Sequence, residues 1–378
     1  VARTVTYNLN HIIDVNFYPT GKTRRSNRLH RPIGIGVQGL ADVFILMDLP
    51  FCSDEARDVN KRIFETIYYA AVTESNRISK SRWKDMERLR VAYNEGKFMF
   101  TDVGGDMPDN NETKLVIGKK AEDYVEICGL LEKYRPIQAE MESNGKAEWV
   151  GSYSSFLGSP ASKGILQFDM WDEKHESPCG YDWATIKQSI VDYGLRNSLL
   201  IAPMPTASTS QILGNNECFE PITSNIYSRR TGAGEFVIAN KYLIRELLEM
   251  GIWNDEIKNN IIENKGSIQH IEIVPERIRE KYKIVWEMPM KRIIEMSADR
   301  GRYICQSQSL NLWMEDPTYK TLTSMHFYGW KQGLKTGIYY LRRKPKHTPQ
   351  QFTIKPKTAL EDALENTENN EICEMCSS

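Results

Sequence analysis

Between residues 151 and 342 the sequence alternates short apolar runs with segments of helical periodicity. Three of the runs are mainly apolar without alternation, which is typical of strands buried on both faces of a sheet: residues 164–168, 197–203 and 337–341. Three other segments repeat their apolar side chains at helical spacing: residues 242–250, 257–262 and 285–296. Strands that alternate with helices in this way predict an α/β fold.

The chain divides by composition into four parts. Residues 1–73 contain a helical pattern from the first residue, a basic loop at residues 22–31, a helix at residues 40–47 and a further helix that Ser53 caps. Residues 74–150 are richer in charged side chains than the rest, so we expect a surface insertion there. Residues 151–342 form the α/β part. Because the helical pattern is already in progress at Val1, we expect further sequence upstream.

The last part, residues 343–378, begins with a basic cluster and ends in an acidic stretch of low apolar content. This composition predicts a disordered tail. The tail carries Cys373 and Cys376 two residues from its end.

The overall charge excludes some classes of partner. The chain has 49 basic and 50 acidic side chains and a formal net charge of −1, so no positive field is available to hold nucleic acid or an anionic membrane. Its apolar runs are too short to span a bilayer. The seven cysteines are scattered and odd in number, which favours a reducing compartment and predicts a cytoplasmic protein.

Gly34, Gly36 and Gly39 form a GxGxxG pattern. A dinucleotide-binding turn of this kind must follow a buried strand, and the basic residues before Gly34 do not form one. We therefore expect these glycines to allow close packing at the junction between a loop and a helix.

Thr206, Ala207, Ser208 and Thr209 follow a predicted strand that ends at two prolines. Small hydroxyl residues with free backbone N–H groups at a helix start can bind a phosphate. The same residues can also serve as an ordinary helix cap, and the pattern alone favours that interpretation.

Two tyrosines, Tyr339 and Tyr340, are adjacent in a strand-like run. They can be aromatic core residues, which is the simpler interpretation. Alternatively, they can form a redox pair that passes an electron and a proton.

Cys373 and Cys376 form a CxxC pattern. A zinc site needs four ligands, and the sequence has no second CxxC or closely spaced histidine pair to supply them. A disulfide between these two cysteines would close only a tiny loop and would stabilise little. The pattern therefore favours a dithiol that exchanges with another disulfide.

Several long motifs resemble the large subunit of class I ribonucleotide reductases, in the form found in eukaryotes and large viruses. They are RPIGIGVQGLADVF at residues 31–44, NSLLIAPMPTASTSQILG at 197–214, QSQSLNL at 306–312, MHFYGWKQGLKTGIYYLR at 325–342 and CEMC at 373–376. The resemblance implies the C-terminal half of a ten-stranded α/β barrel. It does not extend over the charged segment that begins at residue 74.

The resemblance also implies a reaction, the radical-based reduction of ribonucleoside diphosphates to 2′-deoxyribonucleoside diphosphates for DNA synthesis. It implies that Thr206, Ala207, Ser208 and Thr209 bind the substrate diphosphate. Tyr339 and Tyr340 would be the last residues of a radical relay from the small subunit. Cys373 and Cys376 would re-reduce an active-site disulfide and would in turn be reduced by thioredoxin or glutaredoxin.

In this family the radical cysteine, the active-site disulfide and the sites for ATP and dNTP effectors lie upstream of the match to Val1. We therefore expect this chain to need an N-terminal half, to bind no cofactor or metal itself, and to take its radical from a metal-containing small subunit. The complete subunit is expected to be a homo-oligomer. Two other hypotheses remain: a non-catalytic fragment that only binds the small subunit or a nucleotide, and a thiol–disulfide carrier.

Overall fold

The computed structural model describes residues 1–101, 114–117, 124–134, 151–171, 174–231 and 234–344. The chain forms two compact units. The first contains residues 1–221 and 288–342, and the second contains residues 222–287 and the chain after residue 342.

The described residues contain twelve α-helices. In chain order they are α1 (Ala2–Val15), α2 (Gly21–His30), α3 (Leu40–Leu46), α4 (Asp54–Asn94), α5 (Tyr124–Tyr134), α6 (Trp183–Tyr193), α7 (Thr209–Leu213), α8 (Lys241–Glu249), α9 (Asp255–Glu263), α10 (Glu276–Lys281), α11 (Met290–Gly301) and α12 (Tyr319–Lys331). Short 3₁₀ turns are formed by Ala161–Lys163, Gln167–Met170 and Val285–Glu287. The strands are β1 (Phe98–Thr101), β2 (Lys114–Ile117), β3 (Ile226–Thr231), β4 (Gly234–Ala239), β5 (Asn311–Trp313) and β6 (Tyr340–Arg342).

The helix predicted to start after Ser53 is present, and it is long. The Ser53 side chain accepts a hydrogen bond from the backbone N–H of Ala56, as an N-cap does. Helix α4 then continues to Asn94, past residue 74, where the sequence places the start of the charged insertion. The limits 1–73, 74–150, 151–342 and 343–378 stay predictions.

The basic loop predicted at residues 22–31 is wrong, because this segment forms helix α2. Thr20 and Thr23 form a reciprocal capping box at its start. The helix contains lysine and arginine, which lose little side-chain freedom in a helix, and Arg28 and His30 lie in its last turn, where the helix dipole favours positive charge.

Four extended segments of the first unit lie side by side, in the order expected for half of a parallel barrel. Ile35 pairs in parallel with Ile201. The backbone N–H of Ser309 donates to the carbonyl of Pro203 (3.1 Å), which adds the segment before β5. Strands β5 and β6 then pair in parallel. The α/β barrel half predicted from the sequence is confirmed.

Three of the six elements predicted for residues 151–342 differ from the sequence pattern. The strand predicted at residues 337–341 is confined to β6 (Tyr340–Arg342) and is exposed rather than buried on both faces. Residues 164–168 are not a strand: Gly164 has a φ of +73° and closes a turn, and the Asp169 side chain accepts from the N–H of Leu166 (2.8 Å) at the start of a 3₁₀ turn. The single helix expected at residues 285–296 is divided into a 3₁₀ turn and α11, because Pro289 cannot continue a helix.

The main core of the first unit lies between helices α1, α4 and α6 and the extended segments. Its fully or almost fully buried members include Phe64, Phe156, Ile190, Leu200 and Ile201. In the second unit, Asn225 organises the loops around hairpin β3–β4, because its side-chain amide donates to the carbonyls of Gly266 and Tyr282 (2.9 Å each). Among the helices described, none has the length and apolar character that a membrane span needs.

Candidate functional site

The glycine pattern lies against the segment that ends at the two prolines. A Cβ atom on Gly36 would lie 3.3 Å from the backbone of Pro203 and of Met204, and one on Gly34 would lie 3.3 Å from the Ala202 side chain. The segment before Gly34 comes from helix α2 rather than from a strand. The close-packing interpretation is therefore confirmed.

The loop at residues 206–218, which we call the cradle loop, is closed by the hydrogen bonds of Thr206. Thr206 is buried, and its hydroxyl oxygen accepts from the backbone N–H of Cys218 (2.7 Å). Its carbonyl accepts from the backbone N–H of Ser210 (3.0 Å). Thr206 therefore fixes the start of the loop to its end.

Of the four residues after Thr206, three are exposed and one is buried. Ala207, Ser208 and Thr209 are exposed. Ser208 is the N-cap residue of α7, yet its side chain makes no capping hydrogen bond. Ser210 is fully buried, and its hydroxyl has no hydrogen-bond partner within the described residues. The ordinary capping role that the sequence pattern favoured does not account for these hydroxyl groups.

Tyr339 and Tyr340 are not core residues. Their side chains are 48% and 50% exposed, and their ring centroids are 4.5 Å apart with an edge-to-face angle of 74°. The guanidinium group of Arg342 lies 4.7 Å from the centre of the Tyr340 ring. Since the rings are in contact and are not needed to fill the interior, packing alone does not explain them.

The sheet connects the tyrosine pair with the cradle loop. The cradle follows Pro203, whose carbonyl bonds Ser309, and the next residue, Leu310, accepts from the backbone N–H of Tyr339 (2.7 Å). The two sequence-predicted groups therefore belong to segments two strands apart in one sheet. Cys373 and Cys376 lie outside the described residues.

A buried polar cluster lies next to the cradle loop, and sequence reasoning missed it. Arg300 on α11 is 2% exposed, donates to Gln308 Oε1 (2.6 Å) and Ser297 Oγ (2.8 Å), and lies 3.9 Å from the centre of the Phe219 ring. Glu220 Oε1 accepts from the backbone N–H of Asn311 (3.3 Å). No motif spacing marks these residues, because they are distant in sequence and come together only in the fold.

Burial determines the charges in this cluster. It raises the pKa of Glu220 to about 7, although the Asn311 N–H and the Arg300 guanidinium oppose the shift. It lowers the pKa of Arg300 to about 10, so Arg300 stays charged at neutral pH. Burial also raises the pKa of the Cys218 thiol to about 12, which makes it a packing thiol rather than a nucleophile.

We expect Glu220 to make the protein less stable as the pH rises from about 4.5 to about 7. In this range the Glu220 carboxyl is more fully protonated in the folded chain than in the unfolded chain, so a rise in pH favours unfolding. A shift from 4.5 to about 7 corresponds to about 3 kcal/mol in the free energy of unfolding. Urea unfolding at a series of pH values across this range measures the change in the free energy of unfolding.

Glu220→Gln is the matched control, since glutamine keeps the size and does not titrate. The difference in unfolding free energy between wild type and Glu220→Gln should change with pH, while contributions from all other groups cancel. A constant difference would contradict the burial of an ionisable carboxyl here.

A family model described as the ribonucleotide reductase barrel domain matches residues 1–340. The ribonucleoside-diphosphate reductase large subunit of Caenorhabditis elegans is 48% identical over an alignment that covers 100% of this chain and 40% of the relative. The corresponding subunit of monkeypox virus is 45% identical, with 100% and 39% covered.

The solved structures include a similar fold. The alpha subunit of the Actinobacillus ureae class Id ribonucleotide reductase matches with a TM-score of 0.57 at 20% identity, covering 91% of this chain and 46% of that chain. This chain thus spans 40% or less of the length of the C. elegans and viral relatives.

Proposed function

This chain belongs to the ribonucleotide reductase family, and from that membership we propose that it forms part of a large subunit that reduces ribonucleoside diphosphates to 2′-deoxyribonucleoside diphosphates. The observation that carries the proposal is the sheet, which holds a loop of unengaged hydroxyl groups and an exposed tyrosine pair two strands apart.

The cradle loop supplies the substrate contacts in this proposal. Phosphate oxygens accept hydrogen bonds, and the exposed hydroxyl groups of Ser208 and Thr209 can donate them. Ala207 leaves room beside them, since its side chain ends at Cβ. The Thr206 hydroxyl oxygen accepts from the backbone N–H of Cys218 and so holds the loop in place, while its O–H can still donate to a phosphate oxygen.

Tyr339 and Tyr340 carry the radical. A phenol that loses an electron and its proton can regain both from a second phenol, and the ring centroids here are 4.5 Å apart. Because both rings are about half exposed, a radical can reach them from another subunit. The partner that supplies it is a metal-containing small subunit.

The remaining parts of the enzyme come from outside this chain. The proposal requires an N-terminal part that brings the radical cysteine, the active-site disulfide and the sites for ATP and dNTP effectors. It also includes a homo-oligomeric complete subunit, thioredoxin or glutaredoxin as reductant, and a cytoplasmic location.

We expect this chain to reduce no ribonucleotide with a small subunit alone. Adding an N-terminal part with the missing cysteines should restore turnover, because the thiyl radical and the reducing thiols then become available. The measurement is the deoxyribonucleotide formed from a labelled ribonucleoside diphosphate. Binding of substrate or small subunit without turnover in the completed enzyme would favour the non-catalytic alternative. Turnover by this chain with a small subunit alone would contradict the claim that the radical cysteine and the reducing thiols come from an N-terminal part.

Cys373 and Cys376 are proposed to pass electrons from thioredoxin to the active-site disulfide. In the completed enzyme, Cys373→Ser and Cys376→Ser should each remove thioredoxin-driven turnover and leave turnover driven by dithiothreitol. A small dithiol can reduce the disulfide directly, whereas a protein reductant needs the exchanging pair. Cys52→Ser is the control and should change neither rate. Equal losses with both reductants would contradict the role of these two cysteines.

A further inference from the structure

A tyrosine and a histidine that the proposed function does not use are hydrogen-bonded in the first unit. The Tyr303 hydroxyl lies 3.1 Å from His175 Nε2. Tyr303 is 2% exposed and the His175 side chain is 10% exposed. We propose that they form a redox-active pair, in which Tyr303 gives an electron to a misplaced thiyl or tyrosyl radical of the reductase, reducing it to the thiolate or phenolate, and passes its own phenolic proton to His175 Nε2. The source of that radical rests on the proposed function.

The His175 ring is held in position for this transfer. It stacks on Phe168, with centroids 3.9 Å apart and an angle of 22°, and it meets the edge of Trp183. Its Nε2 lies 3.8 Å from Glu65 Oε1. A carboxylate at this distance stabilises the imidazolium that forms when the ring accepts a proton.

Glu65 is itself fixed. It is fully buried on α4 and accepts hydrogen bonds from Ser177 Oγ (2.6 Å), the backbone N–H of Cys179 (2.8 Å) and Trp183 Nε1 (3.0 Å). These donors stabilise the charged carboxylate. His175, which accepts the proton, and Glu65 beside it are therefore already in position before Tyr303 is oxidised.

The resting protonation states suit the proposed direction. Burial lowers the pKa of His175; Glu65 and Asp169 oppose this shift, and Lys187 and Arg302 add to it. A neutral ring can accept a proton. Burial also raises the pKa of Tyr303, so this phenol loses its proton only together with an electron.

A chain of aromatic rings connects Tyr303 with the surface. Successive centroids are 6.5 Å apart from Tyr303 to Tyr68, 5.7 Å from Tyr68 to Trp183, 5.0 Å from Trp183 to Tyr69 and 4.3 Å from Tyr69 to Tyr181. Tyr181 is partly exposed. An external thiol can therefore return one electron along these rings. The thiol releases its proton to solvent, and the thiyl radical that it becomes pairs with a second one to form a disulfide. The Tyr303 radical takes back its proton from His175.

The inner end of this chain reaches the sheet that carries the cradle loop. Cys305, two residues after Tyr303, donates its backbone N–H to the Ile201 carbonyl (3.1 Å), and the backbone N–H of Ile201 points at Cys305 Sγ (3.4 Å). A radical that leaves the proposed relay near this strand can therefore oxidise Tyr303, which lies two residues from Cys305. The pair would remove that radical before it damages the site.

The pair can be tested on this chain with an external oxidant. Flash photolysis of tris(bipyridine)ruthenium(II) with persulfate generates the oxidant, and electron paramagnetic resonance of frozen samples detects tyrosyl radicals. We expect Tyr303→Phe to remove one radical component, and His175→Gln, which keeps a hydrogen-bond acceptor but takes up no proton, to reduce the same component. Tyr153→Phe, another buried tyrosine, should leave it intact.

An unchanged radical spectrum in Tyr303→Phe would overturn the assignment, and an unchanged yield in His175→Gln would overturn histidine as the proton acceptor. Circular dichroism checks that each variant is folded. Because this assay needs neither substrate nor small subunit, its failure leaves the proposed function untouched. In the completed reductase, Tyr303→Phe should keep the initial rate and reduce the number of turnovers before inactivation, and an unchanged number would overturn the protective role.

Discussion

Tyr340→Phe and Tyr339→Phe are each expected to lower turnover of the completed reductase by at least about 100-fold, equivalent to about 2.7 kcal/mol of activation free energy. Phenylalanine keeps the ring but has no phenolic proton to lose, so the radical cannot pass. Since both side chains are about half exposed, each change should alter the free energy of unfolding by no more than about 0.5 kcal/mol. Turnover assays with thioredoxin and with dithiothreitol should both show the loss.

Substrate binding separates this effect from damage to the site. Nucleoside diphosphate binding, measured by equilibrium dialysis, should be unchanged in both variants, because the tyrosines and the cradle loop are on different segments. Tyr319→Phe is the control, since Tyr319 is 94% exposed at the start of α12 and has no proposed role. A folded Tyr340→Phe enzyme with a near-normal rate would refute the relay.

Local signals predicted much of the fold. Ser53 marks the start of α4, and the helical spacing at residues 242–250 and 257–262 corresponds to α8 and α9, because caps and apolar periodicity act within a few residues. The apolar run at residues 197–203 pairs on both of its sides, as buried strands do. Helix α2 begins at the capping box of Thr20 and Thr23, a local cue that the basic residues after it obscure.

The buried chemistry could not be predicted in the same way. Glu220 and Arg300 are 80 residues apart, and His175 and Tyr303 are 128 apart. Neither pair has a characteristic spacing, and a charged residue in a sequence is normally read as exposed. The sequence also does not predict that Tyr339 and Tyr340 are exposed. An apolar run suggests burial, whereas the side chains of β6 are exposed to solvent.

Arg300 is the residue whose loss should most affect stability. It is fully buried, its guanidinium stacks on Phe219, and it lowers the pKa of Glu220 from the value that burial alone would impose. Removing the positive charge that opposes the burial of Glu220 leaves an ionised Glu220 uncompensated, a loss comparable with that of a broken buried ion pair, about 3–5 kcal/mol. Many proteins have only about 5–15 kcal/mol of stability in total.

Arg300→Leu should therefore lower the free energy of unfolding by about 3–5 kcal/mol in urea titrations. The loss should be larger at about pH 8 than at about pH 5.5, because Glu220, with a pKa of about 7, is ionised only at the higher value. The double variant Arg300→Leu/Glu220→Gln should recover part of the loss, since no charge is then left buried. Arg302→Leu is the control, because Arg302 lies on the same stretch of chain and is only partly buried, and it should cost far less. If the double variant were as unstable as Arg300→Leu at both pH values, the loss would come from packing and hydrogen bonds rather than from the uncompensated buried charge of Glu220.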